Sequence, residues 1–262
     1  TGDGVRIYVM DTGVRHSHDQ FGGRASLGFD SGGGSGADAF NHGTGVAGAA
    51  AGSIAGVAKG ADIINVRAAN TATLDETYVE GLDYADDYLD ALAWILANHP
   101  EGTPGVVVCS LMPPGDIDGA GTLVEAEAEA AWQALHDAGL VCIQAVGNDN
   151  KTVPDVAPYN MADVICVGGS NTTDGYYSGC HGPIVDIVAP AVDVTVPSAS
   201  SDSATITDTG TSFSAPIVAG ICAMLLEQSP HAPPERVRKI LIDQATSGEL
   251  SSVPASTVNL LA

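Results

Sequence analysis

The sequence predicts an α/β fold built on an open, doubly wound, mostly parallel sheet, and three observations lead there. Short apolar runs at residues 5–10, 63–66, 106–110, 140–146 and 164–167 read as strands buried on both faces. Helical patterns at 43–52, 85–98, 122–137, 212–228 and 234–245 fall mostly between them, and this alternation is the mark of βαβ units. The third is size: 262 residues, 45% apolar and 16% charged, suffice for one substantial core without disorder, collagen or coiled coil.

Each element has a local cause. The first strand, 5–10, ends in Asp11, and the small residues from Gly43 to Gly52 then favour a closely packed helix. Residues 30–36 (Asp-Ser-Gly-Gly-Gly-Ser-Gly) read as a flexible loop. On 85–98 the neighbouring acids Asp83, Asp86, Asp87 and Asp90 lie at helical spacing and predict a solvated face. The helix at 122–137 is rich in alanine (Ala126, Ala128, Ala130, Ala131, Ala134), and Gly139 is placed to end it as a C′ residue. Residues 197–209 are rich in Ser, Thr and Asp and read as irregular or hairpin-like. Pro233-Pro234 opens the last helix, where a missing N–H costs little. No repeat or linker divides the chain, so 1–262 reads as a single domain.

Charge excludes some partners. Nine basic against 32 acidic residues give a net charge of −23, too few cations for a nucleic-acid or anionic-membrane footprint. No window approaches the length of an apolar membrane span, and Thr1-Gly2-Asp3-Gly4 lacks the regions of a signal peptide. The expectation is a protein that is cytosolic or already processed. The five cysteines fit no zinc spacing and no C-x-x-C motif, and their odd number leaves at least one thiol unpaired. Cys109, Cys142, Cys166 and Cys222 sit in apolar runs and read as inert packing.

Three segments place a reactive side chain among small residues where two elements meet: Asp11-Thr12-Gly13, His42-Gly43-Thr44-Gly45 and Gly210-Thr211-Ser212. A serine hydroxyl needs a base to take its proton, and the base needs an anion to fix its tautomer. Taken singly, Asp11 fits a turn, His42 a packed histidine and Ser212 a helix N-cap. Together, in the order Asp, His, Ser, they supply nucleophile, base and orienting anion. Asn148, after the strand-like 140–146, adds an amide able to donate to an oxyanion, beside the N–H of Ser212.

On these residues the sequence resembles the subtilisin-like serine proteases. Asp11-Thr12-Gly13, His42-Gly43-Thr44, Gly210-Thr211-Ser212 with Ala215-Pro216, and Asn148 match the family's aspartate, histidine, serine and oxyanion motifs in order. Residues 56–61 are also similar to the family, and 248–250 with 257–262 look like its proteinase K branch. The resemblance implies a subtilisin-like three-layer fold, with the sheet flanked by helices. It implies a serine endopeptidase acting through an acyl-enzyme, with Ser212 as nucleophile, His42 as base and then acid, and Asp11 as orienting anion. By alignment, Ser110-Leu111-Met112 would pair with an extended peptide substrate, and Ala145-Val146-Gly147 would form the facing wall of the pocket. No organic cofactor is implied. A structural Ca²⁺ is, held by Asp186 and the carbonyls of Ala162 and Val164. The resemblance also implies polypeptide substrates, secretion, an inhibitory propeptide removed on maturation with Thr1 at a processing site, and a monomer.

The chain departs from the pattern in places. Met112-Pro113-Pro114 stands where relatives have two glycines, adding a thioether and removing a backbone donor at the cleft. Gly45 stands where relatives usually have histidine, and the branch's paired cysteines are absent, so no disulfide is carried over. Two alternatives remain. One is a catalytically silent binding protein with a cleft altered at Met112-Pro113. The other is an α/β esterase, weakened by the absence of the Gly-x-Ser-x-Gly elbow.

Overall fold

The computed structural model describes residues 1–69, 74, 75, 78, 79, 81–113 and 121–262. In chain order its first half contains β1 (Arg6–Asp11), β2 (Ala25–Asp30), α1 (Gly43–Ala51), β3 (Asp62–Arg67), β4 (Leu74–Asp75), β5 (Tyr78–Val79), α2 (Gly81–Asn98) and β6 (Gly105–Cys109). There follow α3 (Gly121–Asp137), β7 (Val141–Ala145), β8 (Val164–Ser170), β9 (Ile187–Pro190), β10 (Val194–Pro197) and β11 (Thr205–Asp208). The chain closes with α4 (Thr211–Gln228), α5 (Pro234–Gln244), β12 (Thr246–Ser247) and β13 (Leu260–Leu261).

Nine strands form the main sheet in the order β12-β13-β9-β8-β7-β6-β1-β3-β2, parallel except at β12–β13. The chain leaves β1 toward β3 on one side and returns to β6 on the other, so the order reverses beside β1 and opens a crevice at the carboxyl end of that strand, where Asp11 sits.

Strand alternation divides the core into two layers. Ile7 and Val9 of β1, with Val106 and Val108 of β6, face α1, α4 and α5. Tyr8 and Met10, with Val107 and Cys109, face α2 and α3. On α2, Tyr84, Tyr88, Leu92 and Ile95 make one apolar stripe, and Trp132 of α3 donates its indole N–H to Tyr88 Oη at 3.0 Å. Burying Leu92 and Ile95 contributes about 1.5–3 kcal/mol each. Asp86 and Asp90 lie on the exposed side of α2, as their spacing predicts.

All five strands and five helices expected from sequence are present, with ends shifted by a few residues. Gly139 ends α3 as anticipated: its N–H reaches the His136 carbonyl and that of Leu140 reaches Leu135, a Schellman pair around φ +90°. Residues 197–209 resolve into the turn and second strand of the β10–β11 hairpin. The structure adds β2 and β9, with the two-residue strands β12 and β13 on the far edge. Helix α4 is long and apolar enough by composition to cross a membrane, but two-thirds of it is buried inside the protein as the core helix.

Candidate active site

Asp11 is fully buried at the end of β1, and its Oδ1 accepts the Thr12 N–H and the His42 Nδ1–H, each at 2.7 Å. The bond to a carboxylate fixes the imidazole tautomer with Nδ1 as donor, which leaves Nε2 to accept a proton. His42 stands at the N-cap of α1. It comes this close because residue 43 is glycine: a Cβ there would lie 2.2 Å from the Gly13 carbonyl oxygen and 2.9 Å from Asp11 Oδ1. A second carboxylate braces the junction. Asp38 accepts from Thr12 Oγ1 and from the Thr44 N–H, each at 2.9 Å, while Thr12 Oγ1 accepts the Gly43 N–H at 3.0 Å. Burial lowers the basicity of His42, but Asp11, by charge and hydrogen bond, with Asp38 and Asp208 behind it, outweighs that and raises its pKa to about 8.

Ser212 lies in the first turn of α4 and is buried, with 8% of its surface exposed. Among the described residues no hydrogen bond engages its hydroxyl, including one to His42. Such contacts are often long without substrate and tighten in the complex. The next residue brings the two elements together, since the Phe213 ring lies 6.0 Å from the imidazole, tilted by 49°. Phe213 also bears on Gly45: a Cβ at 45 would meet Phe213 Cε1 at 3.1 Å and Val196 Cγ2 at 3.0 Å, so any side chain there requires these neighbours to shift.

The helix that carries Ser212 has an irregularity with a consequence. Pro216 has no N–H, so the Ser212 carbonyl loses its usual donor four residues on. Ser110, directly after β6, donates its hydroxyl to that carbonyl at 3.0 Å. Asn148 is held as firmly. Its Oδ1 accepts the Thr211 N–H at 2.9 Å, and because a backbone N–H can only donate, this fixes the amide orientation and leaves Nδ2 free as a donor. Thr211 Oγ1 also accepts the Gly147 N–H at 3.0 Å, tying the loop after β7 to the start of α4.

Beside these groups is a cavity of about 210 Å³. All six residues expected to bind substrate line it: Ser110, Leu111, Met112, Ala145, Val146 and Gly147. Tyr159, Cys180 and Asp149 also line it, none of which the motifs indicate. The Gln144 amide donates to the Leu111 carbonyl at 2.9 Å and sets the spacing of the two walls. Met112 is half-buried, its carbonyl accepts the Tyr84 hydroxyl at 2.8 Å, and Pro113 is buried; Pro114 lies outside the described residues. All five cysteines are free and buried, and burial pushes the thiols of Cys109 and Cys222 up to about 12.

Of the residues expected to hold calcium, Asp186 already has partners. Asp186 Oδ2 accepts the Cys166 N–H at 2.9 Å, and Oδ1 is paired with the Arg238 guanidinium. Ala162 and Val164 lie at and just before the start of β8, but a carboxylate with both oxygens engaged, one by a cation, does not fit a metal ligand.

A buried carboxylate bonded to a histidine at the switch point of a doubly wound sheet, and a serine at the start of α4 lining one cavity with an asparagine amide, fit the layout of the α/β serine hydrolases. Comparison narrows the class. The family model described as "Subtilase family" matches residues 2–258, and the chain belongs to that family. It is 34% identical over its whole length to an "Extracellular serine proteinase" of Thermus sp. (strain Rt41A), of which it covers 60%. It is 31% identical over its whole length to "Alkaline protease 1" of Emericella nidulans, of which it covers 61%. The chain thus spans about three-fifths of the length of these curated relatives. The crystal structure of "a cold adapted subtilisin-like serine proteinase" superposes with a TM-score of 0.84 at 29% identity, covering 99% of this chain and 88% of the other.

Proposed function

We propose that this chain is a serine endopeptidase that hydrolyses peptide bonds through an acyl-enzyme. Ser212 Oγ attacks the scissile carbonyl and its proton passes to His42 Nε2, while Asp11 holds the imidazole and stabilises its charge. Asn148 Nδ2 and the Ser212 N–H donate to the oxyanion. The C–N bond then breaks, the amine leaves with the proton from His42, and water attacks the ester by the same route to regenerate the hydroxyl. The extended peptide runs along Ser110-Leu111-Met112, and the side chain before the scissile bond enters the cavity of about 210 Å³. The observation that carries this reading is the 2.7 Å bond from His42 Nδ1 to buried Asp11 at the switch point of the sheet. The relatives named as extracellular and alkaline proteases make secreted action on polypeptides the natural setting.

One observation favours a second reading, a silent binding protein. The Met112 carbonyl, in the segment after β6 that would pair with substrate, already accepts the Tyr84 hydroxyl. Casein digestion separates the two. The intact protein should cleave casein and the Ser212→Ala variant should not, whereas binding of casein without cleavage by the intact protein would establish the silent reading.

A further inference from the structure

The Asp186–Arg238 pair sits far from the triad, at the other end of the sheet. There a cleft of about 340 Å³ opens between α3, the starts of β7 and β8, and α5, lined by Ala162 and Arg238 among others. Asp186 precedes β9, takes the N–H of Cys166 on β8 and faces Arg238 on α5, so one carboxylate ties three elements together. Its side chain is 19% exposed against 37% for Arg238. Burial raises the Asp186 carboxyl above its ordinary range, although the Cys166 N–H and the guanidinium hold it down. A carboxylate in that position needs a cation.

Calcium requires six to eight oxygen ligands, and here it would have to share Asp186 with a positive charge already in contact. Among the described residues no group of three or more His, Cys, Asp or Glu side chains offers an alternative. We propose that Arg238 is the resident cation of this site: the guanidinium takes the place that a divalent ion would occupy beside Asp186, and the chain holds β8, β9 and α5 together there without metal. One side chain then stands between the Asp186 carboxylate and a divalent ion.

The test is thermal unfolding of the chain carrying Ser212→Ala, which prevents self-digestion and makes the readout independent of peptidase activity. The melting temperature of this parent should be the same in chelator and in millimolar calcium. Adding Arg238→Ala should lower it in chelator by about 5 °C, and calcium, but not magnesium, should recover the loss. Arg238→Lys, which keeps the charge, should remain insensitive to calcium. A further Asp186→Asn on the Arg238→Ala background should abolish the calcium response. The proposal is overturned if the parent melts lower in chelator and Asp186→Asn removes that difference. It is equally overturned if Arg238→Ala responds to calcium no more than the parent does.

Discussion

If Ser110 replaces the hydrogen bond that Pro216 cannot make, the two residues must be energetically coupled. Ser110→Ala leaves the Ser212 carbonyl, which belongs to a residue with 8% of its surface exposed, without its donor at 3.0 Å. A buried acceptor stripped of its partner costs about 1–3 kcal/mol, and because half-buried Ser110 lies at the cavity rim, where water reaches, the lower part of that range, about 1–2 kcal/mol, applies. In a Pro216→Ala background, residue 216 regains an N–H, the helical bond to the Ser212 carbonyl forms, and Ser110→Ala should then cost less than about 0.5 kcal/mol. The four proteins of this cycle, all carrying Ser212→Ala, are compared by urea unfolding. A coupling energy of about 1 kcal/mol is expected between these two residues, 106 apart in sequence. Additivity within about 0.3 kcal/mol would refute the reasoning and reduce the Ser110 bond to an incidental contact.

Other outcomes follow from the same site. Asn148→Ala should lower kcat by about 10²–10³ with little change in KM, a magnitude borrowed from subtilisin itself; steady-state kinetics on a chromogenic peptide checks it. With His42 at about 8, kcat/KM should rise through a midpoint near that pH, above the roughly 6–7 expected of an ordinary histidine base, and Asp38→Asn should move the midpoint down. Stability should run the other way: the raised pKa stabilises the fold fully below about pH 6.5, and that contribution, at most about 2 kcal/mol, is lost as pH rises through about 8. Urea unfolding of the Ser212→Ala protein across this range gives the sign. Gly45→Ala should destabilise by about 1–2 kcal/mol through its contacts with Phe213 and Val196, and Phe213→Leu should relieve part of the loss in the double variant.

The legible parts of the molecule are those whose cause is local. Strand β1 and its parallel neighbours announce themselves because both faces are buried, so apolar residues run without interruption. Strand β2 does not, because it is an edge strand with Leu27 exposed and with Gly28 in its middle. That glycine is required by tertiary packing, since a Cβ there would come within 2.6 Å of the Trp94 ring, and no neighbour in sequence reports it. Strands β12 and β13 have two residues each and exist only through their pairing.

The site divides the same way. Asp11, His42, Ser212 and Asn148 stand in short motifs whose residue types name their chemistry. Asp38, four residues before His42, could have been suspected as a carboxylate near a helix N-terminus, but its bond to Thr12 needs the fold. The link from Ser110 to Ser212 and the pairing of Asp186 with Arg238 join residues 102 and 52 apart, and that distance hides them from any local reading. The calcium expectation rests on Asp186 alone, because the aspartate stands in a recognisable segment and the arginine that pairs with it does not.

Whether Ser212 is the nucleophile is measured most directly by the site of covalent modification by a fluorophosphonate, read by mass spectrometry of the digested protein. A single adduct on Ser212, formed faster as pH rises through about 8 and lost in His42→Ala, is the expected result. An intact, folded protein that forms no adduct, or forms it on another residue, would contradict the account.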